Sequence, residues 1–537
     1  MDGLGSVTAR ELDTWIASTL EPSTTFRTQV KQTVKQICDF FKEQCFEDIR
    51  VHKTVKGGSA GKGTALKNNS DADVVLFLSC FSSYQEQLHR RAEILTLIEE
   101  RLECCRQTLT FTVDISKPQR KGPPDSPPRS LSLTLSSKLY PESIEVDVLP
   151  AYDALGQVTN DAKPADDVYI RLLNAHSGPG EFSPCFTELQ KKFVKRCPAK
   201  LKNLLRLVKH WYKEVLKPRY PNTQLPPKYA LELLTIYAWE QGTDASEGFD
   251  MAVGFRTVLQ LLRRHQEIII YWEKYYSLQD SQVGTHVKKL LLSSRPVILD
   301  PADPTGILGK GKNWEVVANE AARCCRLLPC VASVQPWDVQ PARPVTVEIR
   351  ALTGKSLTRT VSLDTTILNL KEEIAQQWSI PPYQQRLGQQ KPGQALCILQ
   401  DSKTLATCEI FCSTTLMLLH TETQEMQVLV KDDKNCTTTY TVRPTDTVRQ
   451  LKEQICTLRG VSADQQRLTF GSRELEDRHT LGHYGIQSKS VIYLLWAFSG
   501  GGRGPRGPPL SGSLALLNIA WAPAHTAVSM HHLSCRK

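Results

Sequence analysis

The pattern of apolar and polar residues changes character along this chain. Residues 1–160 combine a helical repeat, TTFRTQVKQTVKQICDFFKEQCF, with the strand-like alternation of ADVVLFLSC, SLSLTLSS and SIEVDVLPAYDAL. Residues 161–335 follow the helical period almost throughout, as in FTELQKKFVKRCPAKLKNLLRLVKHWYKEVL. These patterns predict a mixed α+β lobe followed by a helical lobe.

The chain then repeats itself after a Pro-containing stretch, residues 331–344, that is predicted to be a linker. Leu370 in LNLKEEI corresponds to Leu451 in RQLKEQI, and Gln384 in YQQRL corresponds to Gln465 in DQQRL, so both motifs recur after 81 residues. A constant offset over two motifs indicates a duplicated domain. Each copy begins with an alternating strand.

This repeat predicts two small domains, at 345–422 and 425–498. Residues 499–537 begin SGGGRGPRGPPLSGS, and this Gly/Pro-rich composition predicts a disordered tail.

Composition adds the cellular setting. A chain of 537 residues is too long for one core, and its net charge of +10 is spread along the sequence. The 16 cysteines form no CxxC pair and follow no signal peptide, which favours the cytoplasm, or alternatively the nucleus. No segment up to residue 500 has the roughly 18 uncharged apolar residues of a membrane span. The tail segment SLALLNIAWAPAHTAVSM comes closest but is broken by Pro523 and His525, so no membrane association is expected.

Paired acidic residues provide the first candidate chemistry. In NNSDADVVLFLSC, Asp71 and Asp73 are two apart on a predicted strand, so their carboxylates point to one face. Two like charges so close need a neutralising cation, and Mg²⁺ is suited to carboxylates and substrate phosphates. Asp147, inside the apolar strand of SIEVDVLP, is the candidate third carboxylate.

A glycine-rich segment precedes the two aspartates. Gly58 and Ser59 could hold phosphates through the backbone, although VKGGSAGKGT is not a Walker A loop. A DxD alone is most often solvated, and a GGS alone is most often a turn. Together with Asp147, the combination is typical of nucleotidyltransferases related to DNA polymerase beta.

A basic run, from Lys191 to His210, contains eight Lys or Arg residues and no acid. Such a face is usually just solvated, but its place beside a nucleotide site favours polyphosphate or nucleic acid. Arg206 and Lys209 are embedded among apolar residues and are predicted to point into a cleft. The acid pair of ILDPADPTG, Asp300 and Asp303, is interpreted as structural because of the flanking prolines.

These motifs resemble the 2′-5′-oligoadenylate synthetase family over about residues 5–335, and residues 345–420 and 425–497 resemble ubiquitin. The resemblance implies a polymerase-beta-like nucleotidyltransferase core with a helical C-lobe, followed by two β-grasp domains. It also implies an enzyme activated by double-stranded RNA that joins ATP through 2′-5′ linkages and releases pyrophosphate, in antiviral innate immunity.

The same resemblance assigns residues to roles. Asp71, Asp73 and Asp147 would hold two Mg²⁺ ions, with Asp147 near the attacking 2′-hydroxyl. The expected ATP-binding residues are Gly58, Ser59, Lys62, Arg206, Lys209, Lys228 and Tyr229. The expected RNA-facing residues are Lys42, Lys56, Lys191, Lys195 and Lys200.

Two departures and two alternatives accompany this interpretation. Lys228 stands where the family usually has glutamine, and LWAFSGGGRGPRG lacks the free diglycine end of ubiquitin, so conjugation is not expected. Some family members with ubiquitin-like tails have lost synthesis, which leaves an antiviral adaptor as the alternative, docking an innate-immune protein partner. The intact aspartates favour the enzyme. A cyclic-dinucleotide synthase is disfavoured because no zinc-like His/Cys cluster occurs.

Overall fold

The computed structural model describes residues 3–67, 70–108, 113–115, 119–121, 127–137, 143–157, 162–175, 177–391, 393–421 and 425–496. The predicted disordered tail lies outside these residues. The chain divides into two compact units, 1–422 and 423–537. Among the helices so described, none is long and apolar enough to cross a bilayer.

The N-terminal lobe is built on a mixed sheet. Its elements are α1 (Leu12–Trp15), α2 (Thr24–Glu43), β1 (Val51–Lys56), α3 (Gly58–Lys62), β2 (Ser70–Leu78), α4 (Tyr84–Thr108), β3 (Val113–Ile115), β4 (Gln119–Lys121), β5 (Ser130–Ser137) and β6 (Ser143–Ala151). The strand order is β1-β2-β6-β5-β3, with β4 paired to β5, and β2 runs parallel to β6. Val74 and Val146 pack with residues of α2 and α4 in one core. Strand alternation therefore places the aspartates of β2 and β6 on the opposite face.

The second lobe is mostly helical, as predicted. Its elements are α5 (Asp166–Asn174), α6 (Thr187–Lys195), α7 (Ala199–His210), α8 (Lys217–Arg219), α9 (Lys228–Thr243), α10 (Met251–Arg263), β7 (Ile269–Ile270), α11 (Val283–Leu291), β8 (Val297–Ile298) and α12 (Trp314–Leu327). Helices α7 and α9 pack together, and Trp211, Tyr237 and Phe255 are fully buried in this core. The basic residues of α6 and α7 thus sit on a firmly packed base.

The predicted linker at 331–344 is packed against this lobe. The Trp337 ring lies against Gly242 and Gly254, and the Trp337 amide donates to Thr257 Oγ1 at 2.9 Å. Ala342 forms a β-bridge with Ile269. The segment is therefore not a free spacer, because its tryptophan and backbone are used in packing.

Two β-grasp domains follow and confirm the predicted fold class. The first comprises β9 (Val345–Ala351), β10 (Ser356–Val361), α13 (Ile367–Trp378), β11 (Gln385–Gln389), β12 (Cys397–Ile398) and β13 (Thr414–His420). The second comprises β14 (Met426–Lys431), β15 (Thr437–Val442), α14 (Val448–Arg459), β16 (Gln466–Phe470), β17 (Arg473–Glu474) and β18 (Val491–Trp496). Their sheets have equivalent orders, β10-β9-β13-β11-β12 and β15-β14-β18-β16-β17.

Residues at equivalent positions of the repeat do the same work in both copies. Thr366 and Thr447 each cap the N-terminus of the domain's helix in a reciprocal capping box. The buried Gln385 and Gln466 each donate to two backbone carbonyls. The repeated QQRL motif therefore contains a structural glutamine that secures the chain entering the third strand.

The first β-grasp domain contacts the helical lobe. The Tyr271 hydroxyl donates to the backbone carbonyl of Phe411, and their rings meet edge to face at 6.3 Å between centroids. Arg295 forms two hydrogen bonds with the Asp364 carboxylate, at 2.6 and 3.0 Å. These contacts make the domain part of the first compact unit.

Candidate nucleotidyl-transfer site

The three predicted acidic residues come together on one face of the N-terminal sheet. In the parallel pairing of β2 and β6, Asp73 lies directly opposite Asp147, and Asp71 lies opposite Glu145. Side chains at such paired positions point the same way and are close neighbours. The sequence analysis missed Glu145, although its spacing of two residues from Asp147 was a usable signal. The sheet therefore presents four carboxylates in two adjacent pairs.

Asp71 is held by two different partners. Ser59 donates to Asp71 Oδ1 through its hydroxyl and, at 3.3 Å, through its amide. Lys228 Nζ lies 3.2 Å from the other oxygen, Oδ2. Burial opposes ionisation of this carboxyl, but the charges of Lys209 and Lys228 and the Ser59 hydrogen bond lower its pKa. Asp71 is accordingly an anion already neutralised by protein groups.

Asp73 has the opposite electrostatic environment. Burial, followed by the charges of Asp71 and Asp147, raises the pKa of Asp73 to about 6. The crowding of carboxylates that the sequence predicted thus adds to the effect of burial. A bound divalent cation would relieve this repulsion, so the donor chemistry at this position fits Mg²⁺.

The glycine-serine segment lies against the strand that carries the aspartates. Gly58 has a φ of +62°, and a Cβ there would lie 2.7 Å from the Asp71 carbonyl oxygen. The Gly57 amide donates to the Asp73 carbonyl at 2.7 Å. Only glycine permits this close approach, which places Ser59 beside the carboxylates. The segment and the aspartates are therefore one structural unit.

The structure places Arg206 and Lys209 beneath the chain that follows α3. Arg206 is buried and donates to the carbonyls of Gly63 and Ala65, at 2.7 and 2.9 Å, and also to Asn203. Lys209 Nζ donates to the Thr64 carbonyl at 3.0 Å. Burial lowers the pKa of Lys209 to about 8. Both cations thus support the chain after the glycine-serine segment, and Lys209 also acts on Asp71 through its charge.

Lys62 and Tyr229 lie on the other side of the cleft. Lys62 Nζ is 4.1 Å from the centroid of the Tyr229 ring and 3.0 Å from Glu232 Oε2. The Tyr229 hydroxyl donates to Asp300 Oδ1 at 3.2 Å. The hydroxyl of Tyr229 is thus bound to Asp300, and its ring is in contact with the Lys62 ammonium. Glu232 was not predicted, and its pairing with Lys62 depends on tertiary contact.

The side chains as they stand do not form a closed metal site. Within the described part of the chain, no three His, Cys, Asp or Glu side chains are arranged to hold an ion. Asp71 is turned toward Ser59 and Lys228, which is a physical reason for this result. The donor types and strand register fit a divalent ion, whereas the conformation of Asp71 does not yet do so.

The predicted RNA-facing lysines separate into two groups. Lys56, Lys191 and Lys195 line one cavity of about 300 Å³ behind α3. The pKa of Asp39 is lowered mainly by a hydrogen bond from Lys35. The charges of Lys42 and Lys56 also lower it, so these two lysines lie in the same region. Lys200 instead lies 3.6 Å from Asp13 Oδ2 and faces the Phe249 ring. The structure thus places three of the five predicted lysines at one cavity and directs Lys200 elsewhere.

Comparison with known proteins agrees with this architecture. A family model described as "Nucleotidyltransferase domain" matches residues 32–120, and one described as "2'-5'-oligoadenylate synthetase 1, domain 2, C-terminus" matches residues 162–342. The "Ubiquitin family" model matches twice, at 345–423 and 428–498. The fold therefore defines a protein of the nucleotidyltransferase class with appended ubiquitin-like domains.

Whole-chain relatives place it more closely. The chain is 42% identical to 2′-5′-oligoadenylate synthase-like protein 2 of Mus musculus over 90% of its own length and 96% of the relative. It is 37% identical to 2′-5′-oligoadenylate synthase-like protein 1 of Rattus norvegicus, over 91% and 96%. It is also 45% identical to 2′-5′-oligoadenylate synthase 1A of Rattus norvegicus, over 63% and 96%. The chain belongs to the 2′-5′-oligoadenylate synthase family and has the domain order of its synthase-like members.

Proposed function

We propose that this protein is a Mg²⁺-dependent nucleotidyltransferase that is activated by double-stranded RNA and joins ATP into 2′-5′-linked oligoadenylates. The observation that carries the proposal is the register of β2 and β6, which sets Asp73 beside Asp147 next to Ser59. An adaptor has no need for crowded carboxylates, which raise the pKa of Asp73.

The chain's own residues then divide the work. Mg²⁺ ions held by Asp71, Asp73 and Asp147 would activate the attacking hydroxyl and neutralise the leaving pyrophosphate. Ser59 and its backbone would bind phosphate oxygens after releasing Asp71. Lys62 and Lys209 would supply positive charge on the two sides of the cleft, and the Tyr229 ring would contact the base.

The direct test is pyrophosphate release by the purified chain with ATP, Mg²⁺ and duplex RNA. The proposal expects RNA-dependent release and a product that resists a nuclease specific for 3′-5′ bonds. Product that this nuclease digests would identify a different linkage. Absence of release with every duplex would overturn the enzymatic function.

The Asp147→Asn substitution tests the assigned chemistry. The amide keeps the shape of the side chain but loses its charge, so synthesis should fall by at least about 10³-fold while RNA affinity stays nearly unchanged. Synthesis is measured by pyrophosphate release and RNA affinity by fluorescence anisotropy. An equal loss of both quantities would contradict the role given to Asp147.

The second candidate is a catalytically silent adaptor that works through the two ubiquitin-like domains. It is favoured by the unclosed aspartate cluster and by the synthase-like relatives. The outer face of β18 supports a docking role, because Tyr493 and Leu495 are each 47% exposed there. The adaptor predicts RNA binding without pyrophosphate release, and retention of an innate-immune protein partner through residues 345–498.

Activator and location follow from the same proposal. The lysines that line the cavity, Lys56, Lys191 and Lys195, would follow the RNA backbone with weak sequence preference, together with Lys42. Lys200 would join them by exchanging Asp13 for a phosphate. The cysteines of the described residues are free thiols, which fits a reducing compartment such as the cytoplasm or nucleus.

A further inference from the structure

One cation occupies a position that the chemistry of the cleft does not require. Lys228 is the first residue of α9, directly after Pro227, and its Nζ lies 3.2 Å from Asp71 Oδ2. Pro227 has φ of −66° and fixes the direction in which the helix starts. The lysine is therefore delivered to the aspartate by the fold, across 157 residues of sequence.

The charge of Lys228 acts on the whole cluster. It favours the ionised form of Asp71 and, more weakly, of Asp73, where burial and the neighbouring aspartates act against ionisation. It also acts on Lys209, whose pKa is lowered first by burial and also by the Lys228 charge. Lys228 is thus within electrostatic reach of both sides of the site.

The contact is also easily exchanged. The side chains of Lys228 and Asp71 are 40% and 39% exposed, so water screens the pair. A lysine ammonium on a four-carbon stem can move without a change in the helix. However, an Asp71 oxygen that accepts from this ammonium has one lone pair fewer to offer a metal ion, and the charge of the ammonium repels that ion.

We infer that Lys228 is a built-in counter-cation that competes with a divalent metal ion for Asp71 and is displaced when the ion binds. The displaced ammonium remains in the cleft, within electrostatic reach of Lys209, where it can meet a nucleotide phosphate. The competition between Lys228 and a metal ion for Asp71 does not depend on the proposed function. Only the contact of the displaced ammonium with a nucleotide phosphate rests on it.

The test is direct Mn²⁺ binding to the full chain without nucleotide or RNA, followed by electron paramagnetic resonance. Lys228→Gln removes the competing charge and should tighten Mn²⁺ binding about two- to fivefold, the range expected for a screened ion pair. Lys228→Met keeps the stem and should give the same gain, which excludes an effect of the new amide.

Lys213→Gln is the matched control. The pKa of Lys213 is lowered mainly by burial, and the charges of Lys228, Asp71 and Glu145 also act on it. A gain confined to the Lys228 variants supports competition at Asp71. The same gain in Lys213→Gln would show a general charge effect and overturn the inference, as would unchanged or weaker binding in both Lys228 variants.

Thermal unfolding provides a second readout. In a chelator, Lys228→Gln should unfold at a lower temperature than the wild type because the aspartates lose a counter-cation, and Mn²⁺ should raise its Tm more than that of the wild type. Equal Mn²⁺ shifts in both proteins would contradict the inference. The Mn²⁺ experiments contain no nucleotide. Failure of the protein to make oligoadenylates would therefore contradict the proposed function and leave the result on Lys228 unchanged.

Discussion

At the residue scale, hydrogen bonds to the buried Asp300 link Tyr229 of the cleft to the core. Asp300 accepts hydrogen bonds from Tyr229 at 3.2 Å, from Gln190 Nε2 at 2.6 Å and from the Ala302 amide at 2.8 Å. Gln190 also lines a cavity of about 260 Å³ beside Asp73. The structural role interpreted from the prolines is therefore joined to a positioning role, which the sequence did not reveal.

Asp300→Asn should weaken ATP binding. Whichever way the amide turns, its NH₂ group faces another donor, either Gln190 or the Ala302 amide, so one contact is lost. Tyr229 or Gln190 then moves, and KM for ATP should rise about tenfold, equivalent to about 1.4 kcal/mol, with a smaller change in kcat. Steady-state kinetics of pyrophosphate release measure this split.

Asp303→Asn is the control, because Asp303 is similarly buried but accepts from the amide and hydroxyl of Thr305 and not from Tyr229 or Gln190.

Burial and the neighbouring Asp303 raise the pKa of Asp300 to about 7. The folded protein thus keeps a proton that the unfolded chain has lost, and stability falls as pH rises from about 4 to 7. Asp300→Asn should flatten this fall in denaturation experiments. In the kinetic experiment, equal KM changes in Asp300→Asn and Asp303→Asn would argue against a specific role for Asp300.

The element scale shows how a helix can be shaped to receive a neighbouring segment. Gly242, near the end of α9, would place a Cβ only 2.6–2.8 Å from atoms of Trp337. A glycine there is unfavourable for the helix by about 1 kcal/mol relative to alanine. The packing of Trp337 explains why it is tolerated, and it explains why the 331–344 segment is held.

Gly242→Ala should therefore destabilise the protein despite its better helix propensity. The methyl group meets the tryptophan near its own Cβ, so the segment and not just the ring must shift, at about 1–3 kcal/mol. Gly248→Ala is the control, since no atom lies within 4 Å of its added Cβ. Chemical denaturation of both variants measures the difference. A stabilised Gly242→Ala variant would show that the segment is loosely held.

At the scale of the whole molecule, an acidic surface and a basic surface meet at α3. The aspartates of β2 lie on one side of the sheet and Ala72, between them, lines the cavity with Lys56, Lys191 and Lys195 on the other. Ala60 and Gly61, which follow Ser59, line the same cavity. A polyanion bound at these lysines would touch the back of the glycine-serine segment. Under the proposed function, this arrangement offers a short physical route from RNA to the aspartates of β2.

Charge reversal tests this surface. Lys191→Glu with Lys195→Glu should raise the RNA concentration needed for half-activation and reduce the slope of log affinity against log salt by up to about 2. Lys288→Glu with Lys289→Glu makes the same charge change on α11, which does not line the cavity. Fluorescence anisotropy at several salt concentrations gives both slopes. Equal losses in the two double variants would indicate a diffuse charge effect.

The sequence by itself determined the α+β and helical lobes, the duplication of a small domain and the placing of Asp71, Asp73 and Asp147 on apolar strands. Periodicity, a constant repeat offset and strand alternation can all be read directly from the order of residues, and the resemblance to ubiquitin identified the duplicated domain as a β-grasp. Only the tertiary structure decided that Lys228 would neutralise Asp71, that Arg206 would bind backbone carbonyls, and that residues 331–344 would pack. Long cationic and aromatic side chains choose among partners that the fold brings near from distant sequence positions. No local pattern records that choice.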